Sequence, residues 1–245
     1  MSIRLVVPDL SHADVAKQWR SSTRRISQVV ERIKAMDPDA LARLRQVGEG
    51  AVDIFFSTPT GTIYLQRIPG TLGQTGEGVV KAYSLSEAFG TVEATADVLD
   101  LGESVDLLWR GALPPAAGYV MIDTPPGSVI RQLYRDMASE SREHSGPAGI
   151  ARSLLDQEVM QVSQNRTGED STEAGSSSSA SAQSVAITGR MVATMGALGL
   201  APEPTSPAMQ KYDFVRVSAQ GSWIRVDGLG GSLFTPRPGG LARVP

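Results

Sequence analysis

The run Phe214-Val-Arg-Val-Ser-Ala-Gln-Gly-Ser-Trp-Ile-Arg-Val constrains the fold more than any other stretch. Apolar and polar side chains alternate on both sides of Gln220-Gly221, and a period of two around a tight turn specifies an antiparallel β-hairpin. Upstream the period changes. Val129, Leu133 and Met137 recur at helical spacing from Gly127-Ser128 and fade by His144. Ile150, Leu154, Leu155 and Val159 predict a second helix over 147–159. Thr188 stands where a cap belongs, Met191, Val192, Met195 and Leu198 form an apolar side, and Gly199 supplies a stop, which predicts a third helix. A short strand is expected at Ser232-Leu-Phe-Thr. Pro125-Pro126 marks the boundary ahead of this pattern, since the periodicity switches immediately after it.

The N-terminal half mixes helix and strand. Val15, Trp19, Ile26, Val29 or Val30, and Ile33 lay one apolar stripe along a helix from His12 to Met36, with Ser11 as its expected cap. Ala51–Ser57 and Thr62–Ile68 are β-branched and aromatic, and Pro59 and Gly61 turn the chain between them. The glycines at 70, 73, 76 and 78 read as a surface loop, because they lack the GK[ST] of a phosphate-binding loop and the GxGxxG of a dinucleotide site. A helix is expected over Ser86–Leu99 and an edge or joining strand over 118–123, flanked by prolines. Residues 164–184, rich in Ser, Thr, Gly and Glu, read as a flexible insertion that cannot repay the entropy of ordering.

The fold class that follows is α+β: a mixed α/β domain over 1–124, then a winged-helix-like domain of three helices and a β-hairpin over 125–245. Leu154-Leu155-Asp156-x-Glu158-Val159, Arg190-x-Val-x-x-Met-Gly-x-Leu-Gly-Leu and Val215-Arg-Val-x-x-x-Gly-Ser-Trp-Ile-Arg-Val, together with Trp109-Arg-Gly-x-Leu-Pro-Pro, carry a resemblance over residues 105–235. On those runs the chain resembles an uncharacterised family of actinobacterial proteins. The resemblance implies kinship of fold and a bacterial cytoplasmic origin, and no mechanism.

Chemistry is scarcer than architecture. A chain of 245 residues with 41% apolar content can bury a substantial core. The absence of cysteine removes disulfides, thiolate metal sites and a Cys nucleophile. His12 and His144 are the only histidines, with no GxSxG or HExxH around them, so no catalytic, metal or cofactor residue is assigned. The segment before Pro8 is too short for a signal-peptide core, and no run reaches the roughly 20 apolar residues of a membrane span. A cytoplasmic protein is expected. The net charge of −3 gives no global pull toward nucleic acid. Residues 1–35 nevertheless carry seven basic and three acidic side chains. Such a helix can bind phosphates or lipid headgroups, but charge runs ordinarily mark a solvated face, and that reading is preferred.

Two functions follow. The first is a non-enzymatic intracellular scaffold engaging a protein partner or a second copy of itself, with no membrane contact. The alternative is a winged-helix DNA-binding transcriptional regulator using Arg190, Thr194, Arg216 and Arg225. Nucleic acid takes second place because residues 126–245 hold as many acids as bases, and because Gly189, Ala193, Gly196 and Ala197 give the third helix a face suited to close packing.

Overall fold

The computed structural model describes residues 1–73, 76–90, 97–144, 152–164 and 184–237. Most of the predicted 164–184 insertion, and the first part of the predicted 147–159 helix, lie outside the described residues. The chain divides into two compact units, one of Met1–Pro114 with Gly231–Phe234, the other of Pro115–Gly230 with Thr235–Pro245.

The first unit begins with β1 (Ser2–Val6) and α1 (Ala13–Met36). β2 (Leu41–Val47), β3 (Ala51–Ser57) and β4 (Ile63–Pro69) form an antiparallel meander. β5 (Thr71–Leu72), β6 (Glu77–Lys81), α2 (Ala82–Gly90) and β7 (Val98–Glu103) follow, and β13 (Gly231–Pro236) returns from the far end of the chain. The main sheet runs β6-β2-β3-β4-β13, with a smaller sheet β5-β1-β7. Register places Ala42 opposite Phe56, Leu44 opposite Ile54, Phe56 opposite Tyr64 and Val52 opposite Ile68, so these buried residues share one face. α1 packs on β4 and α2 through Trp19, Ile26, Val29, Val30 and Ile33, and Trp19 meets Phe89 edge-on at 6.4 Å. The predicted α1 stripe is therefore its buried face. Its cap position is His12 rather than Ser11, whose amide bonds the Asp9 carboxylate.

The opposite face of the meander carries charge. Asp53 is 2% exposed and accepts from Arg67 Nε at 2.6 Å and Nη2 at 3.0 Å, with Arg45 Nη2 at 3.7 Å across the other neighbouring strand. Arg45 also lies 4.8 Å from the Phe55 ring centroid. β6 has its outer edge closed at one point: Val105 N–H donates to Val79 O, and Val79 N–H donates to Asp106 Oδ1. That capping withholds part of an edge from pairing.

Two expectations fail here for local reasons. The predicted Ser86–Leu99 helix stops at Gly90, and Val98 and Leu99 pair with β1 as strand. The glycine-rich loop contains β5 and the start of β6, where Gly78 sits opposite Leu44 with no room for a side chain against Ile3.

The second unit holds β8 (Val120–Asp123), α3 (Gly127–His144), α4 (Arg152–Asp156), β9 (Glu158–Ser163), β10 (Ser184–Thr188), α5 (Gly189–Leu198), α6 (Pro207–Gln210), β11 (Arg216–Gln220) and β12 (Trp223–Gly228). The β11–β12 hairpin is present, with Gln220 opposite Trp223, and β8 pairs along β11 as the expected edge strand. β9 and β10 form a second antiparallel ribbon.

This unit is not a winged helix, and the α+β class with a three-helix C-terminal domain is corrected accordingly. The hairpin is part of a sheet with β8 rather than a free wing. The helix predicted through Val159 ends at Asp156, because Glu158–Ser163 alternates against Ser184–Thr188 as strand. The would-be recognition helix α5 is packed on nearly every side: Met191, Val192, Ala193, Thr194, Met195 and Leu198 are all buried. Its small residues do what their spacing suggests within the unit. A Cβ on Gly189 would lie 2.2 Å from Leu154 O, and one on Gly196 would lie 2.1 Å from the Tyr134 ring. Gly199 ends α5 in the left-handed conformation, φ 70°.

One ion pair ties α3 to the approach to β11. Arg131 grips Asp213 with two bonds of 2.7 and 2.8 Å and also donates to Pro202 O. Those hydrogen bonds hold the Asp213 carboxyl below its usual range. A carboxyl lowered in the folded state adds stability above its unfolded value, and loses it as pH falls through the folded one. Arg131→Met is expected to cost about 1 kcal/mol at pH 7. The gap to the wild type should narrow as pH falls below about 4. Urea unfolding at pH 7 and pH 3 measures both; an equal gap at the two pH values contradicts the assignment.

Candidate interaction surfaces

The exposed side of α1 is built by the same periodicity that buries its other side. With Trp19, Thr23, Ile26 and Val30 committed to the core, Lys17, Arg20, Arg24 and Arg25 are left facing solvent. Lys17, Arg20 and Arg24 follow one another at three- and four-residue steps, and Arg25 lies beside them, within about 12 Å of helix axis. Among the described residues none of these four has an ion-pair partner; the α1 pair is Lys34 with Glu31, further along the helix. Ser21 and Gln28 join them around a shallow depression of about 700 Å³, and Asp14, Gln18 and Ser22 border a second of about 410 Å³. Like charges three and four residues apart destabilise a helix by about 0.2–0.5 kcal/mol per pair. A bound polyanion relieves that repulsion.

The residues proposed from sequence do not assemble into a nucleic-acid site. Arg190 Nε bonds the Asp156 carboxylate, Thr194 is fully buried and donates to Arg190 O, and Arg225 is held by Asp227 at 2.8 Å. Arg225 also lies 5.6 Å from the Tyr119 ring centroid. Arg216 alone of the four is exposed and makes no ion pair among the described residues. It lines a depression of about 170 Å³ with Tyr212, Phe214, Asp227, Gly228 and Leu229. A fourth cavity, about 470 Å³, is lined by Ile3, Arg4, Glu77, Ser104 and Asp106, among others. Among the described residues no group of three or more His, Cys, Asp or Glu is arranged to hold a metal ion. No helix among them is long and apolar enough to cross a membrane.

Comparison with known proteins settles the family. The model described as "Domain of unknown function (DUF8185)" matches residues 114–240, more than half of the chain. The chain belongs to the DUF8185 family. A second model, "Domain of unknown function (DUF8010)", matches residues 19–111. No curated protein matches this sequence significantly. Among solved structures, the DNA polymerase sliding clamp of Bacillus subtilis is similar over 96% of this chain and 64% of that one, at 11% identity and a TM-score of 0.52. The DNA polymerase III beta subunit of Thermotoga maritima covers 99% of this chain and 66% of its own, at 9% identity and TM-score 0.50. The sliding clamp of Bartonella birtlesii, in a structure bound to griselimycin, covers 97% and 65%, at 13% identity and TM-score 0.50. The chain thus spans slightly less than two thirds of each subunit. The fold is sliding-clamp-like, and the family with a winged-helix-like C-terminal half inferred from the sequence is corrected by these matches.

Proposed function

We propose that this DUF8185 protein is a non-enzymatic interaction scaffold whose α1 face rests on the phosphate backbone of nucleic acid while other surfaces hold protein partners. The observation that carries the reading is the set of four exposed cations, without an ion-pair partner among the described residues, on a helix of a sliding-clamp-like chain. Phosphates recur every few ångströms along a nucleic-acid strand, and contacts to them supply sequence-independent affinity. Flexible cations arranged along a helix suit that mode. The overall charge of −3 confines the attraction to this face.

Fluorescence anisotropy with a short labelled duplex tests it. The wild type should bind at low salt. Replacing Lys17, Arg20, Arg24 and Arg25 with alanine should reduce the magnitude of the log–log salt slope by about 3–4 units, at roughly 0.9 per lost phosphate contact. The buried face of α1 is untouched and the charges removed repel one another, so the variant should melt at or slightly above the wild type. Arg216→Ala with Arg225→Ala should leave the slope unchanged. Absence of binding at low salt, or a slope insensitive to the four α1 substitutions, overturns the assignment.

A further inference from the structure

One apolar side chain stands out of the first unit on a rigid mount. Leu107 is 98% exposed at the tip of a 3-10 turn, Asp106–Leu108, and Leu108 beside it is 49% exposed. The turn does not hang freely. Leu108 N–H donates to Val105 O at 2.8 Å, Val105 N–H and the Asp106 carboxylate clamp the two sides of Val79, and Ser104 Oγ bonds Asp106 Oδ2 at 2.7 Å. Glu103 and Asp106 border the tip with negative charge, and Arg110 follows them.

The second unit carries a depression of matching character. Tyr212 (49% exposed), Phe214 and Leu229 wall the 170 Å³ hollow with apolar surface, a small volume suited to a single aliphatic side chain. It too is rigid: Asp213, between the two aromatics, is gripped by Arg131, and Gly228 lies against the Leu200 backbone. Two basic side chains stand at it. Arg216 lines it, and Lys211 stands over the outer ring, its Nζ 4.9 Å from the Tyr212 centroid. Asp227 also lines it, engaged by Arg225 at 2.8 Å.

We propose that Leu107 of one copy seats in the Tyr212–Phe214–Leu229 hollow of a second copy, with Glu103 and Asp106 meeting Arg216 and Lys211. This deepens the scaffold reading by naming the partner as the chain itself. Exposed aromatics beside an arginine form a common anchor site, and two prearranged surfaces lose little entropy on meeting. The contact joins unlike surfaces, so the second tip and hollow are filled reciprocally within the pair, by ring closure, or by a further copy.

Sedimentation of the full chain without nucleic acid tests this independently of α1. The wild type should self-associate with rising concentration. Leu107→Glu removes the tip and Arg216→Glu reverses the hollow; each residue is exposed, so circular dichroism should match the wild type. Each variant alone should lose at least about tenfold in association. Mixed in equal amounts, they should form a species of two chains that grows no further, since one intact tip and one intact hollow remain. A wild type monomeric at every concentration, variants that associate as the wild type does, or a mixture that stays monomeric overturns the proposal. None of these results bears on the salt slope of the α1 test.

Discussion

Removing both arginines from around Asp53 is expected to lower the unfolding free energy by about 3–5 kcal/mol, the range for leaving one partner of a buried ion pair uncompensated. The carboxylate is 2% exposed, in the middle strand of the meander, with Arg67 on one neighbouring strand and Arg45 on the other. Neither cation is deeply buried, since Arg67 is 57% and Arg45 27% exposed, so the desolvation cost falls on Asp53. Arg67→Ala alone should therefore cost only about 1 kcal/mol, because Arg45 remains 3.7 Å away. Arg45→Ala with Arg67→Ala removes both cations that pair with the carboxylate among the described residues and should cost more than twice as much. The triple change Arg45→Met, Asp53→Leu, Arg67→Met should return to within about 1 kcal/mol of the wild type, since apolar replacement of a whole buried ionic group is often neutral. Urea unfolding of the four proteins measures this. A triple variant as unstable as the double one shows that the cost lies in lost packing rather than in stranded charge.

This ionic group was invisible in the sequence, and the reason is general to the chain. Asp53 interrupts the apolar run Val52–Phe56 as any surface aspartate would; only the register Arg45↔Asp53↔Arg67 brings three strands' charges together. Periodicity within one element was readable. α1 and the β11–β12 hairpin follow directly from it, because each is specified by neighbours a few residues away. Junctions between elements were not. Leu154, Leu155 and Val159 satisfy a helical template even though the helix ends at Asp156 and Val159 belongs to a strand. β2 alternates, but its Ala42, Arg43, Arg45 and Gln46 suit a helix or a loop as well, and pairing with both β3 and β6 decides the matter.

The same distinction governs the functional surfaces. The excess of basic residues before Met36 is plain in the sequence, and so is the helix that carries it. What separates a solvated face from a binding face is whether the cations are already paired, and that depends on acids elsewhere in the chain. Arg190 and Arg225 illustrate the converse. Their residue type invited a nucleic-acid assignment, yet Asp156 and Asp227 hold them. Leu107 and the Tyr212–Phe214 pair read as ordinary apolar residues until their exposure is known.

Replacing Gly231 with alanine should cost about 3–5 kcal/mol from backbone strain and overpacking together. Gly231 starts β13, which the chain delivers to β4 from far downstream, Ser232 lying opposite Leu65 and Leu233 opposite Tyr64. Its φ of +141° is one that residues with a side chain rarely adopt. A Cβ there would lie 2.5 Å from Gln66 Nε2 and 2.8 Å from both Leu65 O and Tyr64 Oη. The Leu65 carbonyl belongs to the strand pairing and cannot retreat without breaking it. Gln66 can move only by giving up its 2.8 Å bond to Tyr64 Oη, inside a core where burial pushes the tyrosine pKa up to about 12. Gly221 provides the control. It also has positive φ, +52°, but nothing lies within 4 Å of a Cβ at the hairpin turn, so alanine there should cost only about 1 kcal/mol. Thermal unfolding of the two variants separates the effects: equal losses would mean that the close approach of β13 to Tyr64 and Gln66 contributes nothing, and that backbone conformation alone selects glycine at 231.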